Sequence, residues 1–218
     1  MSKQLKKQLN ALTAQVAALK VKPQQQQPAA NKKRRNRRRR KQGGGGPSNA
    51  ISSDGVITVK RAELFCEITA DAKGTTSASN NGIWPTTEVL PWLQKLSKNF
   101  SQIIWKSIKI EYRPAVGTMK DGSLVVGIEW NDDGITPTKA SVQNCTPNFQ
   151  TPVWQRKEMV LPSSRLQSRK FFSLKSTDLG VDRMPGSIVT FLSCSAGTGK
   201  QYFGDIWLHY HVVLMGPT

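Results

Sequence analysis

Charge is distributed very unevenly along this chain, and this asymmetry sets the strongest limit on how it can fold. Residues 1–50 contain fourteen Lys or Arg and no Asp or Glu. The other residues carry 18 basic and 14 acidic side chains, a net charge of +4 out of a total of +18. A polycationic segment repels itself and cannot bury a core. We therefore predict a disordered basic arm at residues 1–50 and one folded domain at residues 51–218.

Composition divides the arm into four parts. Residues 3–22 lack Gly and Pro and carry apolar residues at heptad spacing, which predicts a short helix that orders only against a partner. A Gln/Pro spacer covers residues 23–30, and a Gly-rich hinge covers residues 43–47. Residues 32–41 form an arginine-rich block with nine cations, namely Lys32, Lys33, Arg34, Arg35, Arg37, Arg38, Arg39, Arg40 and Lys41.

The arginine-rich block predicts RNA binding. Guanidinium groups make bidentate contacts with phosphate oxygens and release condensed counterions as they do so. Such contacts depend on charge more than on base sequence. A nuclear or nucleolar targeting signal is the alternative interpretation of the same residues.

The pattern changes from about Ile51 onward. Short β-branched runs separated by Gly, Pro, Asn and Asp predict an all-β domain of six to eight strands, at 56–70, 102–114, 123–130, 152–161, 170–174, 187–195 and 202–215. In the second of these, strict alternation places Ile103 and Trp105 opposite Ile108 and Ile110. Within this domain, only residues 87–100 predict a helix. Many strands, one inserted helix and no βαβ alternation favour a sandwich.

Few residues outside the arm suggest a chemical site. His209 and His211, the two histidines, share a face of a predicted strand but lack a third metal ligand. The segment AGTGK at 196–200 does not fit the phosphate-loop pattern and predicts a Gly-rich turn. We therefore predict that the chain is not an enzyme. The three cysteines are expected to be free thiols, and the six tryptophans to fill the core or subunit interfaces.

A calcium site is a further expectation. Asp132 and Asp133 follow a predicted strand, and paired carboxylates in a loop are hard-oxygen ligands suited to Ca²⁺ between subunits. An ordinary Asp-Gly turn is the alternative. No membrane association is expected, because no stretch approaches the roughly 20 apolar residues of a span and no apolar run follows the first charged residues.

Four segments of the β-domain resemble a known family. They are GVITVKRAELFCEI at 55–68, WLQKLSKNFSQIIWKSIKIEY at 92–112, GSLVVGIEW at 122–130 and LHYHVVLMGP at 208–217. Their order, with a basic arm in front, is similar to that of the jelly-roll coat proteins of sobemoviruses and their tombusvirus-like and luteovirus-like relatives. Asp132 and Asp133 depart from the D-x-x-D spacing that is usual in that family.

The resemblance implies an eight-stranded jelly-roll domain with a short inserted helix. It also implies a plant-virus capsid protein that self-assembles into an icosahedral T=3 shell of 180 copies around genomic single-stranded RNA. The expected locations are the virion and the host cytoplasm, with the nucleus or nucleolus reached through the basic arm. The competing hypothesis is a non-capsid RNA-binding protein that forms a small oligomer through its N-terminal helix.

Overall fold

A computed structural model describes residues 48–51, 55–71, 74–86, 88–130 and 136–217. This part of the chain forms ten strands and four short helices. The strands are β1 Ser48–Ile51, β2 Ile57–Ala70, β3 Thr76–Gly82, β4 Phe100–Pro114, β5 Ser123–Glu129, β6 Asn148–Pro152, β7 Lys157–Val160, β8 Phe172–Ser173, β9 Ser187–Ser193 and β10 Gln201–Pro217. The helices are α1 Pro91–Ser97, α2 Lys139–Asn144, α3 Ser163–Leu166 and α4 Gly180–Arg183.

The strands form two antiparallel sheets. The larger has the order β1-β2-β10-β4-β7, with β8 also paired to β4, and the smaller has the order β3-β9-β5-β6. Without the short strands β1 and β8, each sheet contributes four strands, so the predicted eight-stranded jelly-roll sandwich is confirmed. The prediction of a single helix is wrong in number, because α2, α3 and α4 follow α1.

The inner faces of the two sheets build one apolar core. Trp105 is fully buried and meets Tyr210 edge to face, with ring centroids 6.1 Å apart. The hydroxyl of Tyr112, also buried, donates a hydrogen bond to the carbonyl of Val153 at 2.6 Å. This bond joins the long strand β4 to the segment that follows β6. It also gives the buried Tyr112 hydroxyl a hydrogen-bond partner.

A β-bulge changes the predicted faces of β4. His211 pairs with Ser107 and the next residue of β10 pairs with Trp105, so Lys106 is an extra residue in β4. Side-chain direction therefore shifts by one position, and Ile103, Trp105 and Ile108 all lie in the core. The prediction that Ile103 and Trp105 oppose Ile108 was wrong, because strict alternation holds only without a bulge.

Three predicted elements are shorter than expected, one of them the strand at 170–174, of which only β8 forms. The predicted strand at 152–161 is divided, because β6 ends at Pro152 and β7 starts at Lys157 after a turn. Of the predicted helix at 87–100, only α1 forms. The helix cannot start earlier because Leu90 has a left-handed backbone (φ 63°) before Pro91, and it cannot extend to Phe100 because that residue already starts β4.

A buried carboxylate fixes the start of α1. Glu63 of β2 accepts the backbone N–H groups of Trp92 at 2.9 Å and of Leu93 at 3.2 Å, and it also accepts the hydroxyl of Tyr210. Leu90 provides no side-chain cap, so the negative charge satisfies the donors at the helix N-terminus instead. Burial and the Glu63 hydrogen bond raise the pKa of the Tyr210 hydroxyl, which therefore stays protonated.

Helix α2 covers the outer face of the smaller sheet. A capping box, in which Thr138 and Ser141 bond each other's backbone, starts the helix. Val142 is fully buried against Val125 of β5 and Val189 of β9. Gly127 of β5 makes this contact possible, because a Cβ there would lie 2.8 Å from the carbonyl oxygen of Val142.

Some predictions fall on parts of the chain beyond these elements. The arm segments at 3–22, 23–30, 32–41 and 43–47 lie outside the described residues. The predicted domain boundary after residue 50 stays a prediction, and β1 includes residues on both sides of it. Within the described ranges, no helix is long and apolar enough to cross a membrane.

Candidate functional site

The residues predicted to bind RNA and calcium lie beyond the described ranges. These are the nine cations from Lys32 to Lys41, and Asp132 with Asp133. Their roles stay predictions. Within the described part of the chain, no group of three or more His, Cys, Asp or Glu side chains could hold a metal ion.

The outer face of the larger sheet carries an ordered set of polar side chains. Its strands are in register, so residues far apart in sequence form rows across the sheet. One row contains Lys60, His211 and Ser107, the next contains Ala62, His209, Lys109 and Val160, and the third contains Leu64, Trp207, Glu111 and Glu158. The first two rows contain two lysines, two histidines and no carboxylate, and both glutamates are in the third.

The first two rows form a hollow of about 650 Å³. Its rim includes Lys60 on β2 and Lys109 on β4, and its floor includes His209 and His211 on β10. Burial lowers the pKa of His211, and the positive charges of Lys60 and Lys106 lower it further. We call this hollow, whose lining includes Lys60 but not Lys106, the basic hollow.

Beside the basic hollow lies a charge network centred on Glu111, whose side chain is fully buried. Arg113 donates to its carboxylate at 2.9 Å, and Arg156 and His209 also contact it. Burial alone would raise the pKa of Glu111, but the hydrogen bonds from Arg113 and His209 and the charges of both arginines lower it to about 2. The carboxylate is therefore ionised at neutral pH.

The network extends to Glu158 at the edge of the sheet. Lys109 lies 3.1 Å from its carboxylate and Arg156 lies 3.2 Å from it. Lys109 is consequently the cation of the basic hollow that already has a negative partner.

Arginine stacking on tryptophan is a feature that sequence reasoning missed. Trp105 fills the core as predicted, but three other rings carry a guanidinium group on one face. The distances to the ring centroids are 4.3 Å for Arg61 over Trp92, 4.1 Å for Arg113 over Trp207 and 3.9 Å for Arg183 over Trp84. Spacing along the sequence gives no signal for such pairs, because each joins different elements.

The remaining candidates have structural roles. Cys66, Cys145 and Cys194 are free thiols, and burial, with the nearby charge of Asp205, raises the pKa of Cys66 to about 12. Residues 196–200 lie in the connection between β9 and β10, as predicted for a Gly-rich turn. His209 contacts Glu111.

Several large apolar side chains are exposed. Leu179 is 72% exposed and Val160 is 67% exposed, and Val181 and Phe171 are also accessible. Three of them lie within the short segment from Phe171 to Val181.

Solved structures share this fold. A chain of tobacco necrosis virus superposes with a TM-score of 0.68 at 15% identity, over 79% of this chain and 88% of that one. Cocksfoot mottle virus gives a TM-score of 0.60 at 16% identity, with 79% and 97% covered. The superposition on cucumber necrosis virus has a TM-score of 0.64 at 19% identity. It covers 76% of this chain but only 58% of that longer chain. At these identities the likeness shows the fold alone.

Sequence comparison then decides the family. No curated protein matches the chain. The family model for the viral coat protein S domain, in contrast, matches residues 26–218, which is most of the sequence. This chain therefore belongs to the viral coat protein family, whose members are structural proteins of the virion and not enzymes.

Proposed function

We propose that this coat protein packages single-stranded RNA through the nine cations at residues 32–41, within an icosahedral T=3 shell of 180 copies. The observation that carries the proposal is the charge of the arm. Fourteen positive charges and no negative charge occupy residues 1–50, and the coat-protein match at residues 26–218 includes the arginine-rich block. In 180 copies the arms would contribute roughly 2,500 positive charges, enough to neutralise much of a genome of a few thousand phosphates.

The exposed apolar side chains support assembly. Leu179, Val181 and Phe171 are accessible in the isolated subunit, and burying them against a second copy would provide contact energy at each interface. Symmetry multiplies one weak contact over the whole shell.

The same proposal includes Ca²⁺ held by Asp132 and Asp133 at subunit interfaces. It also includes passage of the protein through the host cytoplasm and the nucleus or nucleolus.

The experiment is light scattering after size-exclusion chromatography, with the absorbance ratio at 260 and 280 nm, on full-length protein without nuclease treatment. We expect particles of several megadaltons that are rich in nucleic acid. Replacing all nine cations of residues 32–41 with Gln should abolish most of the RNA content while the β-domain stays folded.

The matched control replaces the five other arm cations, Lys3, Lys6, Lys7, Lys20 and Lys22, with Gln. It should keep most of the RNA. Full RNA content in the nine-cation variant would contradict packaging by the block. A wild-type species of two to four chains, even at low salt with RNA added, would favour the small RNA-binding oligomer.

A further inference from the structure

One stretch of the folded domain presents apolar side chains to solvent. Leu179 is 72% exposed, Val181 is 48% exposed and Phe171 is 40% exposed, and we call these three residues the apolar ridge. Val181 also lines a hollow of about 210 Å³ together with Phe172 and Trp130. The apolar ridge and this hollow therefore adjoin, and the hollow is large enough to take a side chain from outside.

Contacts from other parts of the fold hold this segment in shape, although α4 is the only helix between β8 and β9. Arg183 lies 3.9 Å from the centroid of the Trp84 ring and donates a hydrogen bond to the carbonyl of Ser176 at 3.2 Å. Asp182 forms a salt bridge with Arg169, which precedes β8. The segment is thus fixed before any partner arrives, and covering it costs little conformational entropy.

The charge of the segment restricts its partner. Residues 165–183 contain five Lys or Arg and two Asp, a net charge of +3. Arg169 is paired with Asp182, but Lys170 and Lys175 are exposed, and no described carboxylate lies within salt-bridge distance of either. A surface that covers the apolar ridge should therefore carry carboxylates, which residues 1–50 do not have.

We infer that the apolar ridge docks on a second copy of this chain in a heterologous contact, where it meets a different, carboxylate-bearing surface. This inference rests on the proposed assembly into a shell. A two-fold contact of the ridge with itself would bring two surfaces of net charge +3 together, and like charges across an interface oppose binding. Heterologous contacts close into rings around a symmetry axis, as the five-fold and three-fold axes of an icosahedral shell require.

The described part of the chain offers carboxylates for such a contact. Four of them are exposed and have no cation within salt-bridge distance, namely Glu67, Asp71, Glu88 and Asp121. They lie on or near β2, α1 and β5, outside residues 165–183. The lysines beside the ridge can therefore pair with carboxylates of the next copy, while the apolar side chains form the buried centre of the contact.

The first test is assembly of the full chain with Leu179→Ser/Val181→Ser. Particle yield, measured by light scattering after size-exclusion chromatography, should fall by about tenfold or more, because symmetry repeats each lost contact. Circular dichroism should show a folded β-domain. The matched control, Met119→Ser/Val160→Ser, changes residues that are 96% and 67% exposed elsewhere in the fold and should keep the wild-type yield.

A second pair of variants tests the charge at positions that are exposed and lie outside the core. Lys170→Glu/Lys175→Glu should also lower the particle yield, whereas Lys95→Glu/Lys98→Glu, on and beside α1, should not. Wild-type yield from both ridge-side variants, or equal losses from the controls, would overturn the inference and leave RNA packaging intact. A wild-type chain that forms no particles would instead refute the proposed function.

Crosslinking separates a heterologous contact from a two-fold one. Carbodiimide treatment of wild-type particles should join Lys170 or Lys175 to a carboxylate outside residues 165–183, and this crosslink should be absent from the unassembled Leu179→Ser/Val181→Ser variant. Under mild oxidation, a disulfide-linked dimer specific to Val181→Cys particles would show two ridges in contact and overturn the inference. RNA crosslinked to residues 170–181 would assign the surface to nucleic acid and overturn it as well.

Discussion

The two sheets of the sandwich share one core but have different outer faces. On the smaller sheet, α2 covers the outer face and buries Val142 against Val125 and Val189. On the larger sheet, no described helix covers the rows that contain Lys60, His209 and Glu111. One outer face is thus stabilised by apolar contact and the other by charge.

The largest change in the free energy of unfolding is expected for a substitution of Glu111, on the outer face of the larger sheet. Its pKa of about 2 lies below the ordinary value of 4.5, so the group stabilises the fold fully above pH 4.5. That contribution should be lost as the pH falls through about 2. The free energy of unfolding of Glu111→Gln should be lower than that of wild type by up to about 3 kcal/mol at pH 7. Urea denaturation at several pH values measures the difference.

Glu158→Gln is the matched control for this experiment. It removes the same charge from the same network, but the Glu158 side chain is 42% exposed. We expect its effect to stay below about 0.5 kcal/mol at all pH values, as for exposed ion pairs. Equal effects of the two substitutions would mean that burial of Glu111 has no energetic role.

The next largest change in the free energy of unfolding is expected on the face of the smaller sheet that α2 covers. Val142→Ala removes two buried methyl groups and leaves a small cavity, which should lower the free energy of unfolding by about 2 kcal/mol. The loss should be the same at pH 7 and pH 3, because no titrating group is involved. Val160→Ala, at a 67% exposed position of the larger sheet, is the control and should change stability by less than about 0.5 kcal/mol.

The smallest change in the free energy of unfolding is expected for a substitution that keeps the charge on the outer face of the larger sheet and alters only the shape of the side chain. Arg113→Lys keeps the charge beside Glu111 but loses the flat guanidinium that lies 4.1 Å from the Trp207 ring. We expect a loss of about 0.5–1 kcal/mol in urea denaturation at pH 7. The same change at exposed Arg165 should be neutral. A neutral result at Arg113 would mean that charge alone organises this face.

The long strands were predictable because their sequences are strongly patterned. Four strands of seven or more residues are rich in β-branched side chains, namely β2, β4, β5 and β10. Their predicted bounds agree with the structure within two residues. β3 was missed, because Thr76–Gly82 consists of small polar residues that become a strand only by pairing with β9. α2 was missed as well, although Thr138 and Ser141 carried a capping signal.

For the candidate sites, the sequence indicated the arm but could not locate the basic hollow. Nine cations in ten residues are visible without any fold. Lys60, Lys109 and His211 are ordinary residues of three separate strands. Only the register of β2, β10 and β4 places them around one space.

By itself, the sequence determined the polycationic arm, the all-β class and the absence of a catalytic constellation, because charge and local periodicity are properties of neighbouring residues. The tertiary structure alone decided which side of β4 faces the core, through the bulge at Lys106. It also decided that Glu111 is buried among cations and that α2 covers one sheet but not the other. These features depend on pairing between residues distant in sequence, and local pattern does not contain that information.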